Sequence, residues 1–145
     1  MGVAVLSHNF RTNAIRVAES HAAAGQAPAY MYLLTWKSPA EDGKLRACHG
    51  LEVPLVMHNI ETSPMRRWVL GPDPTPEQVA DAYHVADVIS DAWVAFARTG
   101  SPDHEGLPAW PPYRPNTRMT MILDSVCRVE HDPLGAERQA WAGIS

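Results

Sequence analysis

The side chains best suited to acid–base chemistry lie in one segment, from Arg46 to His58, which reads Arg-Ala-Cys-His-Gly-Leu-Glu-Val-Pro-Leu-Val-Met-His. His49 stands beside Gly50 in a loop that follows an apolar run ending at Trp36. An imidazole beside a small residue has room to turn into a crevice, and imidazole is the side chain that exchanges protons nearest working pH. Two interpretations stay open: a catalytic general base, or a histidine hydrogen bonded within its own loop.

Several segments, in one order along the chain, resemble the type-B carboxylesterase/lipase family, the branch of the α/β-hydrolases that contains the cholinesterases. The segment at His49 is similar to the family's histidine motif, roughly His-Gly-x-Glu-x-x-Phe-Val-Phe. A strand-like segment precedes it, and segments similar to a helix, a turn and the C-terminal tail of the fold follow. These further segments are residues 29–36, 91–102, 110–113 and 119–124.

The resemblance implies an α/β fold, the C-terminal part of an α/β-hydrolase, acting on carboxylic esters through an acyl-serine without a cofactor. His49 would be the triad base, which takes the serine proton and returns it to the leaving alcohol. Glu52 falls on the motif's glutamate, where it would support the histidine or the local structure. The alternative for Glu52 is an acid that stabilises the first turn of its own helix. Residues 55–57, Leu-Val-Met in place of Phe-Val-Phe, leave the acyl preference open.

The other parts of such an enzyme are missing from the sequence. No two glycines are four residues apart, so the Gly-x-Ser-x-Gly elbow is absent, and there is no Gly-Gly oxyanion segment. The family's acid lies further upstream than the residues before His49 allow. We therefore expect residues 1–145 to form a single partial domain that is inactive alone. An upstream hydrolase segment or self-association is the expected partner, and a non-catalytic interaction module or a truncated gene product is the alternative.

Other functions find little support in the sequence. His49, Glu52 and His58 are spaced three and six residues apart across Pro54, which does not bring them to one helical face, so we expect no metal. The net charge of −4 gives no reason to expect nucleic acid or a membrane surface. No signal peptide or transmembrane segment is visible, which leaves the compartment open, with the cytoplasm as the default. The two cysteines are expected to be reduced thiols.

Hydrophobic periodicity and turn residues predict the elements that must position the histidine. The pattern from Tyr30 to Trp36 is apolar on both alternations, which indicates a strand buried on both sides, as in a parallel sheet. Thr75 and Gln78 form a capping box before a long helix, which Gly100 ends. The helices are predicted at Asn9–Gly25, Leu51–Met57, Pro76–Thr99 and Gly135–Trp141, and two further strands at Met119–Leu123 and Cys127–Glu130.

Two helices carry predicted apolar faces, and two proline-rich segments are predicted as loops. Glu61–Pro76 is expected to be a surface loop with Trp68 as its anchor, and Ser101–Pro115 a second loop. The apolar face of the first helix is predicted to comprise Ala14, Val17, Ala18 and Ala22, with His21 on the same face as a packed or half-exposed residue rather than a ligand. The long helix is predicted to bury residues Val79, Ala82, Tyr83, Ala86, Ile89, Trp93 and Phe96.

Overall fold

A computed structural model of the chain describes residues 10–142. Within them, five α-helices and three strands are joined by loops and short 3-10 turns. The predicted start of the first helix at Asn9 lies outside the described residues. The elements are α1 (Thr12–Ala24), β1 (Tyr32–Leu34), α2 (Glu52–Val56), α3 (Arg66–Leu70), α4 (Pro76–Thr99), β2 (Met119–Leu123), β3 (Arg128–His131) and α5 (Gly135–Trp141).

The chain divides into two compact units. Among the described residues, the first comprises 10–31, 111–120 and 129–142, and the second comprises 32–110 and 121–128. The candidate site belongs to the second unit. The expectation of one partial domain stays a prediction.

The parallel sheet expected from the apolar strand is present, in the order β1-β2-β3. β1 runs parallel to β2, with Tyr32 opposite Met121 and Leu34 opposite Leu123. The apolar pattern overestimated the length of β1, because only three residues find a partner strand and all three are half-buried. The carbonyl of Leu123 then accepts from the N–H groups of both Thr35 and Trp36, at 2.9 and 3.2 Å, so the chain leaves the sheet at that point.

The two later strands follow the prediction closely. β2 has the predicted bounds, and β3 begins one residue later than expected. Between them Asp124 shapes the turn: its Oδ1 accepts from the Ser125 N–H at 2.9 Å, and its carbonyl accepts from the Cys127 thiol. Met121, Ile122 and Leu123 are fully buried, so β2 supplies the strand contribution to the core.

α4 is the longest element, and its bounds match the prediction. Thr75 Oγ1 accepts from the Gln78 N–H while Gln78 Oε1 accepts from the Thr75 N–H, and Gly100 ends the helix at a φ of 77°. The predicted apolar stripe was wrong at its C-terminal end, where Phe96 is about half exposed. Ala82, Ala86 and Ile89 are buried as predicted, together with Val85, Val88 and Ala92, which the predicted stripe left out.

Two short helices, α2 and α3, pack against α4. α2 confirms the predicted helical turn, with Pro54 and Leu55 on its buried side. The expectation of a loop throughout Glu61–Pro76 was wrong, because α3 forms inside it. Trp68 is half exposed and does not anchor this segment; Val69 and Leu70, which follow it, are buried. Trp68 was predicted to be the anchor because of its size, but the helical register of α3 places Val69 and Leu70 in the core instead.

The first unit joins α1, α5 and the ends of β2 and β3 through ion pairs. Arg118 donates to the carboxylate of Glu19 and, at 2.8 Å, to Tyr113 Oη. Arg138 donates two hydrogen bonds to Asp132, at 2.9 and 2.8 Å. The predicted face of α1 is confirmed at Ala18 but wrong at Ala14 and Val17, because α1 buries Ile15 together with Ala18 and leaves Ala14, Val17 and His21 exposed.

No helix within residues 10–142 combines the length and the apolar character that crossing a bilayer requires.

Candidate functional site

The candidate histidine lies on an exposed hydrogen-bonded turn that leads into α2. The Leu51 N–H donates to the Cys48 carbonyl and the Val53 N–H to the Gly50 carbonyl, both at 3.1 Å. Gly50 has a φ of 82°, a conformation that L side chains rarely adopt. His49 itself is solvent-exposed and is not enclosed in packing. Its ring is therefore accessible to other molecules, as a general base requires.

A loop of residues 35–48 separates His49 from the end of β1, so the histidine follows the strand less directly than expected. Two carboxylates hold the beginning of this loop. Thr35 Oγ1 donates to Asp124 at 2.6 Å, and the indole N–H of Trp36 donates to Asp81 at 2.7 Å. Because Trp36 is also buried, the loop leaves the sheet in a fixed direction.

Ser38 closes this loop and is fully buried. Its hydroxyl lies 2.5 Å from the Trp68 carbonyl and 3.1 Å from that of Val69, and it accepts from the Ala40 N–H at 3.0 Å. A hydroxyl committed to backbone groups inside the core is not a nucleophile. The sequence gives no elbow around Ser38, and the structure gives it a structural role that sequence reasoning missed. Ser7, a second serine with no elbow around it in the sequence, lies outside the described residues.

Glu52 occupies the first turn of α2, where an acid stabilises the helix. Its charge also reaches two neighbours. Burial raises the pKa of the Tyr32 hydroxyl, and Glu52 raises it further. Burial likewise raises the pKa of the Cys48 thiol, to which Glu52 adds. Glu52 therefore lies within electrostatic range of Cys48, the residue before the candidate histidine, and of Tyr32 on β1, and both interpretations of this carboxylate stay predictions.

His58 interacts with Asp87, which is not one of the three residues that the sequence offered as metal ligands. Its Nε2 lies 2.6 Å from Asp87 Oδ1 on α4, and its ring meets Tyr83 edge-on with 5.9 Å between ring centroids. Asp87 is 29 residues away in the chain, so local spacing carries no signal for this pair. In the part of the chain that the structure describes, no group of three or more His, Cys, Asp or Glu side chains could hold a metal ion.

Within the predicted loop Ser101–Pro115, two polar side chains, His104 and Asp103, make specific hydrogen bonds. His104 Nδ1 accepts from the Gly106 N–H at 3.1 Å, and Nε2 lies 3.0 Å from the Val88 carbonyl, which fixes a proton on Nε2. Asp103 accepts from the Trp110 N–H at 2.6 Å. These side chains hold the loop against α4 and have no role at the candidate site.

Comparison with known proteins identifies the class. The model of the carboxylesterase family matches residues 3–141, so the chain belongs to the carboxylesterase family. The chain is 32% identical to a carboxylesterase of Geobacillus stearothermophilus, whose crystal structure it matches with a TM-score of 0.76 over 94% of this chain and 27% of the other. The fold is thus the C-terminal part of an α/β-hydrolase, as predicted.

Two curated relatives agree with this assignment. The para-nitrobenzyl esterase of Bacillus subtilis (strain 168) is 34% identical over 123 residues, which cover 85% of this chain and 23% of the relative. The phenmedipham hydrolase of Pseudarthrobacter oxydans is 34% identical over 114 residues, which cover 79% of this chain and 22% of the relative. The chain therefore spans less than a quarter of the length of either relative.

Proposed function

We propose that this chain is the part of a carboxylic-ester hydrolase that supplies the general base, His49. The observation that carries the proposal is the position of an exposed histidine at the family's histidine motif, on a turn that leads into a packed helix. The expected substrate is a small carboxylic ester, as the esterase activities named for both the Geobacillus and the Bacillus proteins suggest.

In the proposed reaction, His49 accepts the proton of a serine hydroxyl as the serine oxygen bonds to the ester carbonyl carbon. The tetrahedral intermediate then expels the alkoxide, which takes the proton from the imidazolium and leaves as alcohol. In the second half, His49 takes a proton from water, hydroxide attacks the acyl-serine, and the proton returns to the serine as the acid departs. The serine, the triad acid and the oxyanion donors are not in this chain and must come from another segment.

Glu52 has a supporting part in this proposal. It lies three residues after His49, in the first turn of the helix into which the histidine turn leads, where an acid stabilises the helix. This contribution is indirect, so Glu52→Gln should lower the catalytic rate less than loss of His49.

The isolated chain should hydrolyse p-nitrophenyl acetate no faster than an equal concentration of imidazole. Activity should appear when the chain is co-expressed with the para-nitrobenzyl esterase truncated before its matching 123 residues. His49→Ala should abolish that activity, whereas His21→Ala, at an exposed histidine of α1, should not change it. Turnover by the isolated chain that disappears in His49→Ala would mean that a nucleophile exists within it.

The sheet favours a second candidate function, an interaction module. β1 lies at the edge of the sheet within residues 10–142, and an edge strand offers backbone groups to another strand. Size-exclusion chromatography with light scattering separates the two functions. Stable self-association without activity on mixing supports the module, and a one-to-one complex with esterase activity supports the split enzyme.

A further inference from the structure

His58 ends α2 in a left-handed conformation that glycine usually occupies. Its φ is 49°, its N–H donates to the Leu55 carbonyl at 3.2 Å, and the Asn59 N–H donates to the Pro54 carbonyl at 3.1 Å. This pair of hydrogen bonds is the Schellman termination, whose left-handed position costs a side-chain-bearing residue conformational energy. A histidine in this position therefore calls for a compensating interaction of its side chain.

The side chain makes that interaction with α4. The His58 Nε2 to Asp87 Oδ1 distance of 2.6 Å is short for a pair whose side chains are 42% and 63% exposed. The ring also packs edge-on against Tyr83, which lies one helical turn before Asp87 on the same face of α4. Two contacts from one ring thus join the end of α2 to the middle of α4.

At its other end, α2 continues without a break from the turn that carries His49. The backbone hydrogen bonds from Leu51 to Cys48 and from Val53 to Gly50 join turn and helix. Leu51 and Leu55 are fully buried and hold the inner side of the helix. Apolar packing is not directional. It therefore opposes the separation of α2 from α4 more strongly than it opposes rotation of so short a helix against α4. The directional contact at His58 fixes that rotation.

We propose that His58 and Asp87 are positioning residues, which fix the orientation of α2 on α4 and thereby the direction in which His49 presents its ring. The link between α2 and α4 through His58 and Asp87 lies within this chain and can be measured without a second segment. Its consequence for catalysis rests on the proposed function of His49.

Amide hydrogen exchange in the isolated chain tests the link between α2 and α4. His58→Gly removes the ring and relieves the left-handed backbone, so a purely conformational role predicts slower exchange of the Val53 and Met57 amides. We expect exchange to be faster instead, by about three- to tenfold, because the tie to α4 is lost. Asp87→Asn leaves α2 unchanged in sequence and should shift exchange in the same direction. The double variant should exchange no faster than His58→Gly alone, since both changes remove one interaction.

Glu61→Gln is the matched control. Glu61 accepts from Arg66 at 2.7 Å and has a 54% exposed side chain, so the variant breaks an equally exposed ion pair that does not involve α2. It should leave exchange of the Val53 and Met57 amides unchanged. Slower or unchanged exchange in His58→Gly, or additive effects in the double variant, would contradict the proposed link between His58 and Asp87.

The effect on His49 is read in two ways. In the isolated chain, the ring resonances of His49 should shift or broaden in His58→Gly and Asp87→Asn but not in Glu61→Gln. In the co-expressed esterase, the same two variants should lower kcat about three- to tenfold with KM unchanged. Unaltered ring resonances would overturn the positioning role even if exchange changed. An inactive wild-type complex would count against the proposed function, while the exchange and resonance results would still decide the positioning role.

Discussion

At the scale of single residues, the candidate site depends on side chains that do no chemistry themselves. The buried hydroxyl of Ser38 holds the loop before His49 against α3, and the direction of the loop is set by the Asp81 carboxylate, which accepts from Trp36. A buried polar group with satisfied hydrogen bonds holds one conformation, because breaking those bonds inside the core is costly. The loop that leads to the exposed His49 is therefore fixed in position where it leaves the sheet.

Ser38→Ala should lower the free energy of unfolding by about 1–3 kcal/mol, because the Ala40 N–H loses its acceptor and the carbonyls of Trp68 and Val69 lose the one hydroxyl proton that lies between them. Urea denaturation measures this change. Ser20→Ala, at an exposed position of α1, serves as the control and should change stability by less than about 0.5 kcal/mol. Equal stability of the two variants would show that the buried hydroxyl contributes nothing.

The pair formed by Asp132 and Arg138 links stability to pH. The hydrogen bonds from Arg138 hold the pKa of Asp132 below its usual range, so the folded state favours the ionised carboxylate. The stability from this pair is fully present above the unfolded pKa, about 3.9, and is lost as pH falls through the lowered folded value. Arg138→Gln should therefore reduce the loss of Tm between pH 6 and pH 3. An unchanged pH dependence would contradict the link.

At the scale of elements, α4 is the support for the site, because α2 and α3 pack against it and the loops at Trp36 and His104 are hydrogen bonded to it. Its own start depends on the capping box at Thr75. Destabilising that end should therefore affect the second unit as a whole.

Thr75→Ala should lower the free energy of unfolding by about 1 kcal/mol, since the Gln78 N–H loses its acceptor. Thr75→Ser keeps the hydroxyl and should restore most of that stability. Thermal unfolding followed by circular dichroism compares the two variants. A serine variant as unstable as the alanine variant would mean that the cap hydroxyl is not the cause.

The elements that sequence reasoning predicted well are those fixed by local chemistry. The bounds of α4 follow from Thr75, Gln78 and Gly100, and the bounds of α5 and β2 were also predicted. The errors arise where distant parts of the chain decide. The length of β1 is set by its pairing with Met121–Leu123, and the helix inside Glu61–Pro76 is stabilised by burying Val69 and Leu70.

The candidate site likewise has one part that local sequence predicts and another part that depends on distant residues. The motif at His49 could be recognised because it is contiguous in the sequence. The tie from His58 to Asp87 spans 29 residues, and the role of Ser38 depends on carbonyls about 30 residues away, so neither leaves a local pattern.

At the scale of the whole molecule, the chain belongs to the carboxylesterase family but spans 23% of the length of the Bacillus relative. Its described residues supply three strands of sheet and a histidine turn. The sequence contains no Gly-x-Ser-x-Gly elbow, the motif that carries the nucleophile in α/β-hydrolases. The proposed function therefore depends on whether this chain can serve as the base-carrying part of a complete enzyme.

The central claim is tested most directly by a chimera in which this chain replaces the matching C-terminal region of the para-nitrobenzyl esterase, assayed with p-nitrophenyl acetate after folding has been verified by circular dichroism. The chimera should be active, and His49→Ala should lower kcat by at least about a thousandfold while His21→Ala leaves it unchanged. A folded, active chimera that keeps its kcat in His49→Ala would contradict the assignment of His49 as the general base.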